Sequence, residues 1–143
     1  MTRSLRLRHL LALGALVALL PACGIPYIDV PDLSAKVITE GSKSGIPPFQ
    51  TDGAAFIVVV KTTLSGKLEG TVDWTLASNP VGIAWHRGDC TQNPNCEAIS
   101  ENATTSKPKT VTAANAAAGT YSLVVVNLGT TDESISYRIV LTP

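Results

Sequence analysis

Hydrophobic positions follow two regimes along the chain. Residues 10–20 are an almost unbroken apolar run, whereas from about Thr51 onward apolar residues come in short bursts that alternate with polar ones. The second regime has the two-residue period of strands with one buried face. Phe56-Ile57-Val58-Val59-Val60 is a brief β-branched run, too short for an independent helix and typical of a core strand. Leu68, Val72, Trp74 and Leu76 alternate with Thr71, Asp73 and Thr75, and Val81, Ile83 and Trp85 share a face opposite Gly82 and Ala84. Tyr121, Leu123 and Val125 lie on one face of a further strand and Val124 and Val126 on the other, which predicts burial on both sides or an interface. The last strand is the cleanest, with Ile135, Tyr137, Ile139 and Leu141 facing in and Ser134, Ser136, Arg138 and Thr142 facing out. Ser65-Gly66 and Asn79-Pro80 mark turns. Val111 opens a weaker strand, residues 113–118 read as a loop ending at Gly119, and residues 100–109 read as a polar connection. The pattern predicts an all-β, antiparallel β-sandwich of about six to eight strands over residues 51–143.

The first regime has a different meaning. Arg3, Arg6 and Arg8 precede the apolar run, as in a secretory signal. The run is too short to span a bilayer, which takes about 20 apolar residues, and Pro21 ends it. The junction Leu20-Pro21-Ala22-Cys23 resembles the lipobox of bacterial lipoproteins. Ordinary signal cleavage wants a small residue where Leu20 stands. The resemblance implies a signal peptide over residues 1–22 and a mature N-terminus at Cys23 carrying a diacylglyceryl group and an N-acyl chain such as palmitate. Each buried methylene contributes about 0.8 kcal/mol, and more than one chain makes anchoring stable. Gly24, rather than an aspartate, follows the cysteine and favours the outer membrane. The expected location is the cell envelope, with the domain outside the cytoplasm. Residues 23–50 carry Pro26, Pro31, Pro47, Pro48 and several glycines and serines, and read as a lipidated tether with room for a short strand at Lys36-Val37-Ile38-Thr39.

Charge narrows the partners. Removing the three leader arginines from eleven basic residues leaves eight against eleven acidic ones. A mildly acidic domain has no electrostatic footprint for nucleic acid, so contact with the membrane falls to the lipid. With Cys23 committed, Cys90 and Cys96 remain as a pair in an oxidising compartment, flanking the turn-rich loop Thr91-Gln92-Asn93-Pro94-Asn95. His86, Asp89, Cys90 and Cys96 suggest a metal site instead, but their spacing matches no familiar zinc pattern. A disulfide is expected and a metal is not.

Gly119-Thr120-Tyr121-Ser122-Leu123-Val124-Val125-Val126-Asn127 and Ser136-Tyr137-Arg138-Ile139-Val140-Leu141 resemble the end of a bacterial pre-peptidase C-terminal domain, which reads G-x-Y-x-L-x-V and closes with Y-x-L-x-V. Gly66-Lys67-Leu68 and Val72-Asp73-Trp74-Thr75 resemble its first half, so the likeness covers roughly residues 53–142. It implies a jelly-roll-like sandwich that accompanies secreted enzymes or sits on cell surfaces. Some relatives bind calcium or polymeric substrates. Where relatives carry an acidic D-x-D-like segment, this chain has Asn79-Pro80-Val81-Gly82-Ile83, and Asp73 alone does not supply the oxygen ligands calcium requires.

Chemistry is sparse. His86 is the single histidine after the leader, and Asp52, Glu69, Asp73, Asp89, Glu97, Glu101, Asp132 and Glu133 are scattered over turns and polar faces. No nucleophile elbow, phosphate loop or zinc-protease motif is present in the sequence. The expectation is a non-enzyme without cofactors. Trp74 and Trp85 are the candidate binding residues, since tryptophan anchors interfaces and stacks on sugars, although both lie on the apolar face of a predicted strand, where core packing competes. These readings favour a lipid-anchored interaction or structural module of the envelope, facing a protein or polysaccharide partner. A carbohydrate- or matrix-binding accessory module is the alternative and an unrecognised hydrolase comes third.

Overall fold

The computed structural model describes residues 34–93 and 95–143; the leader, the lipobox and Cys23 lie outside the described residues. Eight strands follow one another: β1 Lys36–Ile46, β2 Ala55–Thr62, β3 Gly66–Trp74, β4 Val81–Arg87, β5 Glu97–Asn102, β6 Lys109–Ala116, β7 Gly119–Asn127 and β8 Glu133–Thr142. They form two four-stranded antiparallel sheets, β1-β8-β3-β6 (sheet A) and β2-β7-β4-β5 (sheet B). The pairings are nested: β1 with β8, β2 with β7, β3 with β6, β4 with β5. A long antiparallel ribbon folded over on itself produces that nesting, and the β3–β8 and β4–β7 contacts close it into a jelly roll.

The core lies between the sheets and is built by alternation. On β3, Leu68, Gly70, Val72 and Trp74 turn inward while Lys67 and Asp73 face water. Val81, Ile83 and Trp85 of β4, Tyr121, Leu123 and Val125 of β7, and Ile135, Ile139 and Leu141 of β8 complete the packed layer. Gly70 is where the sheets approach closely: a Cβ there would sit 3.0 Å from Leu123 Cδ1 and 3.1 Å from Trp85 Cζ2.

Three segments differ from expectation. The sandwich begins at Lys36, not Thr51, because β1 pairs along most of β8; residues 36–46 are an edge strand rather than tether. The polar segment around residues 97–102 is β5, the edge of sheet B, held by β4 alone. Residues 113–116 continue β6 instead of forming a loop, since small alanines fit opposite Leu68 and Gly66 of β3. Leu76, expected to face in with Trp74, lies beyond the end of β3 and is exposed.

Candidate functional site

Both candidate tryptophans are interior residues. Trp85 is 0% exposed and its indole N–H donates to the Val111 carbonyl at 3.2 Å. Trp74 is 5% exposed. Neither face is open to stack on a sugar, which corrects the binding expectation: strand alternation points both rings into the sandwich, where large apolar area contributes most.

Cys90 and Cys96 form a disulfide with Cα atoms 5.5 Å apart. Closing so short a loop contributes about 2 kcal/mol in the chain-entropy model. The loop folds onto the outside of sheet B, where Ser122 Oγ donates to the Gly88 carbonyl at 2.8 Å and accepts from the Cys90 N–H at 3.0 Å. His86 stands beside it. Its Nδ1 donates to the Cys96 carbonyl at 3.1 Å, because a carbonyl can only accept. Donor atoms of His86, Cys90 and Cys96 fall within 4.8 Å of one another, but the sulfurs are bonded to each other and are not the thiolates a metal needs. Asp89 is engaged elsewhere, accepting from the Thr91 N–H at 2.9 Å.

The outer face of sheet B departs from the usual pattern of a solvated sheet. Register places Ala55, Val126 and Gly82 in one cross-strand row and Ile57, Val124 and Ala84 in the next. A third row, Val59, Ser122 and His86, meets the disulfide loop at Ser122. The first two rows are apolar across β2, β7 and β4 and only partly covered, the second ending at the exposed Glu101 of β5, and Leu128, 47% exposed, extends them beside Gly82. The outer face of sheet A is mostly polar, with Glu69, Thr71, Asp73, Ser136, Arg138, Thr110 and Thr112, and carries one apolar pair, Val37 and Val140, towards its β1 edge. An antiparallel sheet ordinarily presents polar residues on its open side, and a contiguous apolar patch marks an interaction surface.

Four loops meet at one end of the sandwich. Asn127 Nδ2 donates to the Ile46 carbonyl at 2.9 Å, its backbone N–H to the Ala54 carbonyl at 3.0 Å, and the Leu128 N–H to the Pro80 carbonyl at 2.9 Å. Lys107 pairs with Asp73 at 3.6 Å and donates to the Thr75 carbonyl. Beneath these loops lies Glu133, one of the carboxylates expected on turns and polar faces, which is only 2% exposed. Its carboxylate accepts from the backbone N–H groups of Thr75 (2.8 Å), Ser134 (2.9 Å) and Leu76 (3.2 Å) and from Asn79 Nδ2 (3.1 Å). Burial alone would raise its pKa, but these donors outweigh burial and hold the carboxyl below its ordinary range. Little in the local sequence signals this, since apart from the Ser134 N–H the donors come from the β3–β4 loop, 54 to 58 residues away.

The sequence matches no protein-family model and no curated protein sequence. Among solved structures, the chain is similar to the pre-peptidase C-terminal domain of a collagenase from Bacillus anthracis, with a TM-score of 0.52 and 12% identity over 72% of this chain and 89% of that one. The sandwich has a PPC-like fold. A mitogen derived from Yersinia pseudotuberculosis is similar to the same degree, with a TM-score of 0.51 and 13% identity over 76% of this chain and 86% of that one. A periplasmic inhibitor of g-type lysozyme from Aeromonas hydrophila matches at a TM-score of 0.41 and 18% identity, over 73% of this chain and 85% of that one. The PPC-like fold accounts for the spacing of the strand motifs at residues 119–127 and 136–141: they are the interior strands β7 and β8, whose alternation builds the core.

Proposed function

We propose that this chain is a lipid-anchored, non-catalytic protein of the cell envelope, tethered through Cys23 at the outer membrane and engaging a partner with the outer face of sheet B. The observation that carries the interaction reading is the pair of apolar rows centred on Val124 and Val126, on a sheet face that would otherwise be polar. The anchor is supported by the Leu20-Pro21-Ala22-Cys23 junction. The non-catalytic reading is supported by what the ionisable groups already do: His86 is tied to the disulfide loop, and the Glu133 oxygens are occupied by donors. The carbohydrate-stacking alternative loses its two candidate rings to the core.

The anchor is tested by feeding cells an alkyne-bearing palmitate analogue. Wild-type protein is expected to label and to sediment with membranes. Cys23→Ala is expected to lose the label and to be recovered in the soluble fraction. Undiminished labelling or membrane retention of that variant would overturn the assignment.

A further inference from the structure

The edges of the two sheets are not equally protected. β1 carries Lys36, Glu40 and Lys43, and its pairing with β8 shifts register between Val37 and Thr39 and between Lys43 and Ile46. β5 is only 6 residues long, carries Glu97 and Glu101, and its pairing with β4 shifts between Trp85 and His86. β6 is partly capped from β5, where Asn102 Nδ2 donates to the Thr110 carbonyl at 2.6 Å. Charges, bulges and cover are the devices that keep an edge strand from pairing with another chain. β2, the remaining edge, has neither bulge nor cover among the described residues. It runs Ala55-Phe56-Ile57-Val58-Val59-Val60-Lys61-Thr62 in unbroken register with β7, without proline and with Lys61 as its single charge. A flat, apolar edge of this kind is a template for another strand.

The direction of its backbone groups follows from its bonds to β7. In an antiparallel pair, alternate residues bond to a given neighbour. The Asn127 N–H donates to the Ala54 carbonyl, so in the same register Phe56, Val58, Val60 and Thr62 bond to β7. Ala55, Ile57, Val59 and Lys61 therefore turn their N–H and C=O groups away from the sheet, and no strand among the described residues meets them. We propose that β2 pairs antiparallel with β2 of a second copy of this chain, about a two-fold axis at Val58. That register sets Ala55 opposite Lys61 and Ile57 opposite Val59 of the other copy, so every outward-turned residue enters a bonded pair. An axis at Ile57 or Val59 instead leaves Lys61 or Ala55 opposite a residue outside the strand. The charges also favour a second copy. Lys61 never faces Lys61, and the antiparallel arrangement carries it towards Asp52, which precedes the partner strand. The pairing lies in the plane of sheet B and leaves the Val124 and Val126 side chains uncovered, so it does not rest on the partner proposed for that face.

Cysteine cross-linking of the full chain in cells provides the test. Ala55 and Lys61 are exposed, so Ala55→Cys and Lys61→Cys are expected to fold. Differently tagged chains carrying one substitution each are expressed separately and together. Together they are expected to give a mixed dimer on a non-reducing gel, at least tenfold more abundant than the dimer from either variant alone. In the proposed register two Ala55→Cys thiols, or two Lys61→Cys thiols, sit about 20 Å apart, six residues of strand rise. Adding Val59→Pro to both chains removes one outward N–H and no bond to β7, and is expected to reduce the mixed dimer at least tenfold; if that variant does not accumulate, the comparison of mixed and separate expression decides alone. No mixed dimer from protein that is folded with Cys90 and Cys96 still joined, equal dimer from the single variants, or a mixed dimer unchanged by Val59→Pro would overturn the proposal.

Discussion

Trp85→Ala is expected to lower the free energy of unfolding by about 4 kcal/mol, within the range of about 3–5 kcal/mol for deleting a buried aromatic. The ring starts on β4 of sheet B and reaches across the interior to sheet A. It packs on the backbone of β3 at Gly70 and donates to the Val111 carbonyl of β6. Truncation would therefore remove transferred apolar area, leave a cavity between two sheets that cannot close over it, and strip a buried carbonyl of its donor. Native domains have only about 5–15 kcal/mol to lose, so the variant should sit near the edge of folding. Equilibrium urea unfolding measures the loss directly. A decrease below about 1.5 kcal/mol would mean that the ring is not the bridge described.

Glu133→Ala is the second large effect, with an expected loss of about 3–4 kcal/mol, in the range for removing one member of a buried charged network. The carboxylate gathers donors from Thr75, Leu76, Asn79 and Ser134 and so ties the β3–β4 loop to the start of β8. The direction of its pKa shift adds a signature. The folded-state carboxyl is held below its ordinary value of 4.5, so the native state favours the ionised form. The stability it contributes is fully present above that value and is lost as pH falls through the folded-state pKa. Glu133→Gln should therefore be less stable than wild type at neutral pH, and the gap should narrow as the solution is acidified below about pH 4.5. Thermal melts from pH 7 to pH 3 would show it; a gap that stays constant or widens in acid would contradict the network.

These two residues also mark how far the sequence could be read. Trp85 was legible by position, because its alternation with Gly82 and Ala84 places it on the inward face. Its residue type pointed instead to binding, and only the burial resolves the competition. The interior strands β3, β4, β7 and β8 were legible for the same reason: each packs a full face against the core, and alternation records it. β1 was legible only over its first four residues, Lys36 to Thr39, and β5 not at all, because each is an edge strand with a polar, half-solvated composition. β6 was legible at Val111, and its second half was hidden by alanines, whose small side chains suit a strand only in the presence of Leu68 and the glycine opposite.

The site features divide along the same line. The disulfide followed from compartment and count. Glu133 carries little local sign of burial, because apart from the Ser134 N–H its donors come from a loop distant in sequence. The apolar rows of sheet B were visible in part, since Val124 and Val126 broke the alternation of β7. Their extent required the register that sets Ile57, Ala55, Ala84 and Gly82 beside them.

That face is the centre of the account, and site-specific photo-crosslinking in living cells tests it most directly. A benzophenone amino acid placed at Val124 is expected to yield a discrete adduct with an envelope component, while the same group at Thr71 on the polar face of sheet A yields none. Equal crosslinking from both positions, or none from Val124 in protein that is folded and present in the envelope, would contradict the proposal that this sheet face is the interaction surface.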